Sequence, residues 1–271
     1  MKRLSIPLLR QNKAVSTAIS AIVITAVTVA LVMVVAFYAY QVLEQRRGAA
    51  EFDVASKAIL TFDDALQDVV WKINASRMVR FKVDYGALEL IPNANTFNVT
   101  ATIGESEENL ASVSTGLMRY SIDTRYVTFG ENYTAYALGD NNSIVTGSIE
   151  SLGRALIEQG PGSVNVTLSY RVRVIRTSVI EVNGTDVNYV SIWLVEVAPF
   201  PEYLTTHIHT FDLRAKCIDV ETNTFGSYDV AGADHCTITV KSEGESSSAQ
   251  IGLEAGKVVF SVVIARVKVS V

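Results

Sequence analysis

The sequence predicts an α+β protein in which a long N-terminal hydrophobic helix precedes a β-rich, sandwich-like globular domain. Three observations carry that prediction: an uninterrupted apolar run near the start, a following stretch whose apolar residues recur with the helical period, and a change to period two from about Met78 onward.

The apolar run comes first. Ala14 to Leu43 contains no charged residue, no Gly and no Pro. As a helix it is roughly 45 Å long at ~1.5 Å per residue, more than the ~30 Å hydrocarbon core of a bilayer. Its Leu, Ile, Val and Phe residues sum to roughly −6 kcal/mol of insertion energy with no opposing charge. Lys2, Arg3, Arg10 and Lys13 precede it, so the positive-inside rule holds that end in the cytoplasm and sends everything after Arg47 outside. A secretory signal to be discarded has a shorter apolar region and a small-residue cleavage site at its far end. Here the far end is Phe37-Tyr38-Ala39-Tyr40-Gln41, which does not fit. The run is apolar on every face, so it needs burial all round, in lipid or among copies of itself. Ala18, Ser20, Ala21, Thr25, Ala26, Thr28 and Ala30 are small enough for close helix approach.

A second helical stretch follows, from Ala49 to about Lys72. Phe52, Ala55, Ile59, Phe62, Leu66, Val69 and Val70 recur at helical spacing and predict one buried face, with Asp63, Asp64 and Asp68 expected on the surface. The helix is expected to leave the membrane and dock on a globular domain.

The strands come next. Phe97, Val99, Ala101 and Ile103 alternate with Asn98, Thr100 and Thr102. Val166, Leu168, Tyr170, Val172 and Val174 alternate with Asn165, Thr167, Ser169, Arg171 and Arg173, and Val267, Val269 and Val271 close the chain in the same pattern. Asn183-Gly184 marks a tight hairpin turn. Pro199-Phe200-Pro201 suggests a smaller subdomain from about residue 200.

Lys13-Ala14-Val15-Ser16-Thr17 resembles the site of archaeal class III signal peptides, where a prepilin-type peptidase cuts after a small residue that follows a basic one. The continuation VSTAISAIVITAVTVALVMVV is similar to the N-terminal helix of archaeal type IV pilins and archaellins. Position five after such a cut is Ile19, where the bacterial branch usually carries Glu. The resemblance covers roughly residues 10 to 45. It implies a leader over residues 1–14, a helix over 15–75 that anchors in the membrane before assembly and forms a filament core after it, and an extracellular β-rich domain over 76–271. It also implies a homo-oligomeric helical filament at the cell surface, with the prepilin peptidase and an assembly machinery as partners. The alternative is a single-pass anchored protein with an extracellular β domain, an envelope protein, receptor or archaellum accessory. A solute-binding or hydrolytic ectodomain is a third reading and requires a polar-lined pocket.

The remaining residues speak to surface and chemistry. The formal charge is −5, and removal of the four basic and no acidic residues of the leader takes it to −9. No concentrated basic face is evident, so nucleic acid is not an expected partner. Cys217 and Cys236 are expected to form one disulfide in an oxidising exterior, the alternative being two buried thiols. Asn74, Asn98, Asn132, Asn141, Asn165 and Asn183 each begin an N-x-[ST] sequon and are candidate glycosylation sites, although Thr-rich strands also generate such matches freely. His207-Ile208-His209 puts two imidazoles on one strand face, a spacing that can serve a metal, but only the distant His235 and Asp234 offer a third ligand, so an ordinary surface or core role is favoured and no metal site is expected. Nucleophile elbow, phosphate loop and zinc motif are missing from the sequence, and neither enzyme activity nor a cofactor is expected.

Overall fold

The computed structural model describes residues 12–139, 144–147, 151–199, 204–206, 209–230 and 232–271. One helix, α1 (Asn12–Val69), runs without interruption through both predicted helical stretches. By compactness the chain divides into one unit that ends at Arg47 and a second, Gly48–Val271. The boundary therefore falls inside α1, and its last turns belong to the globular unit.

Fourteen strands follow among the described residues: β1 (Ser76–Lys82), β2 (Ala87–Ile103), β3 (Ser106–Asp123), β4 (Thr134–Leu138), β5 (Val145–Thr146), β6 (Gly153–Gln159), β7 (Ser163–Tyr170), β8 (Val172–Val182), β9 (Thr185–Pro199), β10 (Leu204–Thr206), β11 (Thr210–Asp229), β12 (His235–Ser242), β13 (Glu245–Gly252) and β14 (Gly256–Ser270). They form two sheets. The first has the order β1-β11-β14-β9-β8-β5, the second β13-β12-β2-β3-β7-β6-β4, with β10 added to β2. Pairing is antiparallel except for β14 with β9 and β5 with β8.

The helix face read from the sequence is the one that packs. Phe52, Ala55, Ile59, Phe62, Leu66, Val69 and Val70 are all buried, in a core completed by Val79, Phe81, Phe211, Leu213 and Val267 of the first sheet and by Leu88, Tyr120, Val166 and Leu168 of the second. A second core, without helix, joins Phe97, Val99, Ala101, Ile238 and Val240 to Val190, Ile192, Phe260 and Val262.

These two cores use opposite faces of the same sheet. In β9 the buried residues Val190, Ile192 and Leu194 serve the second core, while Val195 and Val197 serve the helix core. In β14 the same step falls between Ile264 and Ala265, the partners of Leu194 and Val195 in register. Side chains alternate across a strand, so a one-residue change of parity moves burial to the other face. The step is matched in the second sheet, where Val113 faces the second core and Met118, Tyr120 and Ile122 face the helix.

Three expectations are corrected here. The alternating run Val166 to Val174 is two strands rather than one, because the chain leaves the second sheet after Tyr170 and enters the first at Val172. Residues beyond 200 make no separate subdomain, since β11 and β14 lie in the middle of the first sheet and continue both cores. Asp63 is on the packed side of the helix and only 1% exposed, whereas Asp64 and Asp68 face solvent. The Asn183-Gly184 turn is as read, with both residues at positive φ (52° and 75°).

Helix and sheets are locked by Glu51. Its carboxylate accepts from the backbone N–H groups of Asp84 (2.7 Å), Tyr85 (3.0 Å) and Gly86 (2.9 Å) and from the Tyr120 hydroxyl (2.8 Å). A Cβ at Gly86 would collide with the Tyr120 ring, so glycine is required for this approach. Burial, and then the adjacent Glu51 charge, hold the Tyr120 phenol protonated far above the ordinary tyrosine range. Glu51→Ala strands these donors and should destabilise the domain by about 3 kcal/mol, lowering Tm by roughly 6–12 °C. Thermal melts followed by near-UV circular dichroism check this, with Glu51→Gln expected to lose less because its amide oxygen still accepts.

Candidate functional site

The feature that most needs a partner is the first half of α1. From Ile19 to Leu43 nearly every side chain is exposed, including Ile22 (68%), Val34 (65%) and Phe37 (65%). The segment is long and apolar enough to cross a membrane. Its polar side chains are compatible with a dry environment, because Thr25 Oγ1 donates to the Ala21 carbonyl and Thr28 Oγ1 to the Ile24 carbonyl, both at 2.8 Å. Along one side of the segment Ile22, Val29 and Met33 form a ridge flanked by the smaller Ala21 and Thr25 and by Ala26 and Ala30, an open apolar surface. Lys13, Ala14 and Val15 lie in the first turns of the helix.

Among the described residues the globular unit carries a polar cleft of about 370 Å³ where the two sheets part at the change of core. Asn93, Ser112 and Ser114 line one wall, and Glu196, Glu221, Asn223 and Arg266 the other. Arg266 ties three carboxylates: Glu196 (3.1 Å), Asp219 (2.8 Å) and Glu221 (2.8 Å). Glu221 is held below the usual carboxylate range by Asn223 and then by Arg266. The carboxylates are thus engaged by a guanidinium, and among the described residues no group of three or more His, Cys, Asp or Glu is placed to hold a metal.

The residues singled out from the sequence are dispersed. His207 lies outside the described residues, His209 pairs with Asp84 at 2.7 Å, and His235 pairs with its neighbour Asp234. Asn74, Asn98, Asn132 and Asn183 are exposed and Asn165 is half-buried, while Asn141 lies outside the described residues.

The expected disulfide between Cys217 and Cys236 is not formed; both are free buried thiols. Cys217, on β11, packs under the end of α1 with its Sγ 3.2 Å from the Val70 carbonyl, and Cys236, on β12 of the other sheet, belongs to the second core. Burial pushes the Cys236 thiol up to about 11. Thiol-reactive reagents should therefore label neither cysteine until the protein is denatured, and reduction should leave Tm unchanged.

Asp63 escaped sequence reasoning. Gln67 Nε2 donates to its Oδ2, Ser151 Oγ lies 3.4 Å from the same oxygen, and Oδ1 has no hydrogen-bond partner. The carboxylate fits only because Gly153 carries no side chain there. The buried Tyr170 hydroxyl stands beside it, outside hydrogen-bond geometry. Burial, opposed by Gln67, raises the Asp63 carboxyl to about 6.

No family model, no curated protein and no solved structure matches this chain. The class that the geometry defines is a β-rich domain carried on a long N-terminal helix whose first part is apolar all round.

The raised Asp63 value makes a signed prediction. Its folded pKa exceeds the unfolded 3.8, so Asp63's contribution is most favourable below pH ~4 and is lost as pH rises through about 6. The difference between these values is worth roughly 3 kcal/mol at full ionisation. Asp63→Asn should accordingly raise Tm by several degrees at pH 8 and change it little at pH 4, in parallel melts.

Proposed function

We propose that the chain is a structural subunit of an archaeal extracellular filament of the type IV pilus class, assembled through its N-terminal hydrophobic helix. The observation that carries this reading is α1 itself. Its first half is exposed and apolar on every side, and the same unbroken helix continues into the core of a β domain. Lipid satisfies such a helix before assembly, and neighbouring copies satisfy it afterwards.

In this reading a prepilin-type peptidase cuts after Ala14 and frees Val15, and an assembly machinery moves the subunit from membrane to filament. The small residues Ala21, Thr25, Ala26 and Ala30 on either side of the Ile22-Val29-Met33 ridge support close approach of neighbouring helices. Lipid is as apolar as these side chains, so close van der Waals packing between neighbouring helices, rather than removal from water, supplies the helix contribution to assembly. The β domain forms the outer surface, where exposed sequons at Asn74, Asn98, Asn132 and Asn183 are available to glycans. The role is structural rather than catalytic, and no cofactor is required.

A second reading, a permanently anchored extracellular β-domain protein, shares the helix and differs at Lys13-Ala14. Mass spectrometry of sheared cell-surface material separates the two. The filament reading expects a mature N-terminus at Val15 in the sheared fraction. An intact Met1 terminus recovered only from membranes would overturn it.

A further inference from the structure

The globular unit shows aromatic rings to solvent in one place. Among its described residues two aromatic side chains are exposed, Phe129 (42%) and Tyr133 (36%), and they stack on each other with centroids 4.7 Å apart. Both lie in the connection between β3 and β4, and that connection is fixed in place. Gln159 of β6 accepts through Oε1 from the backbone N–H groups of Phe129 (2.6 Å) and Gly130 (3.1 Å), and its own N–H donates to the Tyr133 carbonyl (2.9 Å). Inward, the Phe129 ring meets Phe52 of α1 at 5.7 Å. Tyr126 of the same connection packs on Tyr85 at 5.1 Å and leaves no room for a Cβ at Gly48. An ordered loop thus holds two large rings outward, at the cost of leaving their apolar surface without cover.

The chain itself limits what can cover them. Gly48 is the first residue of the globular unit, and Leu43, the last of the apolar run, stands five residues before it. Five residues are about 7.5 Å of helix and reach at most ~18 Å by any course of the backbone. The polar layer of a bilayer is ~5–8 Å deep on each side of the hydrocarbon. With the apolar run in a membrane, the loop that touches Gly48 and Phe52 therefore lies at the depth of that layer or just above it. The charges nearby are mixed. Arg125, 4.5 Å over the Tyr126 ring, has exposed Asp123 and Glu131 as neighbours in sequence, Arg46 and Arg47 precede Gly48, Asp53 and Lys57 follow it, and Asp84 is paired with Lys82 and His209. No excess of either sign marks the place, and the two rings do.

We propose that the Phe129–Tyr133 pair is a membrane-seating site, which rests in the headgroup layer of the bilayer that holds the apolar part of α1. Aromatic rings with an apolar body and a polar edge or neighbour favour this layer over both water and hydrocarbon. Thr128, Glu131 and Asn132, which flank the rings and are exposed, suit headgroups and would be costly any deeper. A single helix leaves the domain free to turn about its axis, and a second point of attachment beside Gly48 removes that freedom. A neighbouring copy of the chain is the competing occupant. Lipid is favoured because the five-residue reach brings it to every inserted copy before any neighbour arrives. The inference rests on the membrane-inserted stage that both readings above share, and adds the surface by which the β domain meets lipid.

The test uses the full chain, one copy per phosphatidylcholine nanodisc, with an introduced tryptophan as reporter and a nitroxide on the lipid headgroup as a short-range quencher. Trp71 and Trp193, edge-on at 4.6 Å, form a constant background. They follow the end of α1 at Val69, 21 residues or about 31 Å of helix beyond Gly48. Phe129→Trp and Tyr133→Trp should each lose about half of the added emission, as residues at headgroup depth do. Ile180→Trp, similarly exposed but on β8, whose buried residues belong to the second core, should lose none. Val35→Trp with lipid brominated in its acyl chains reports insertion of α1. If Val35→Trp is quenched while positions 129 and 133 behave like position 180, this proposal is overturned and the membrane readings stand. If Val35→Trp is not quenched, α1 is not in the bilayer and both fall together. Cover of positions 129 and 133 that appears only with several copies per disc, without headgroup quenching, reassigns the pair to a neighbouring subunit and overturns the proposal. Asn132, between the rings, begins a sequon. A glycan found there in cell-derived protein as often as on Asn74, Asn98 or Asn183 overturns it too, because a sugar at that point holds the loop off the lipid.

Discussion

The structure depends on burial of one face of the last turns of α1. Ile59 and Leu66 are fully enclosed, with Phe52 and Phe62 nearly so, and residues from both sheets close around them. Without this face the inner surfaces of β1, β7 and the ends of β2, β3, β11 and β14 would be left without a common core. Glu51 then fixes how far along its axis the helix seats, because a single carboxylate takes three consecutive backbone N–H groups and a tyrosine hydroxyl. Hydrophobic burial is non-directional, and a charge-assisted hydrogen-bond cluster of this kind supplies the direction. The same helix must satisfy a different solvent in its first half, where no polar face exists. The chain meets these two demands by changing from apolar on all sides to a single apolar stripe near Glu44-Gln45-Arg46-Arg47, without breaking the helix.

The second constraint is the exchange of faces in the first sheet. A sheet with one buried face leaves the other to solvent, yet β9 and β14 bury opposite faces on either side of the Leu194/Val195 and Ile264/Ala265 steps. Long strands thereby serve two cores. The residues just beyond the step, Glu196 and Arg266, are left at the margin where the sheets part, and the polar cleft lies there. Three carboxylates gathered around one guanidinium are a consequence of that geometry: Arg266 satisfies acids from β9 and β11 that would otherwise repel one another.

Much of this was legible in the sequence, for reasons that also explain what was not. The helix face, the alternating Phe97–Ile103 run and the Asn183-Gly184 turn are local patterns, and each held because its periodicity or turn chemistry needs no information from elsewhere in the chain. The transfer between sheets at Arg171 was invisible, since alternation continues across it and both strands bury the same parity. Asp63 reads as a surface acid because charge is the usual mark of exposure, and only the distant Gly153 makes room for it. The cysteines had nothing but compartment to recommend their pairing, and the topology puts them in different sheets.

The two parts of the helix answer to different constraints. An apolar surface is satisfied by any apolar surrounding, and van der Waals contact between such surfaces carries little directional preference. The last turns are the opposite case, because the buried face and the Glu51 carboxylate together admit a single seating on the sheets. Asp63 sits at that junction, so its ionisation above about pH 6 acts on the stability of the domain and not on the apolar part of the helix.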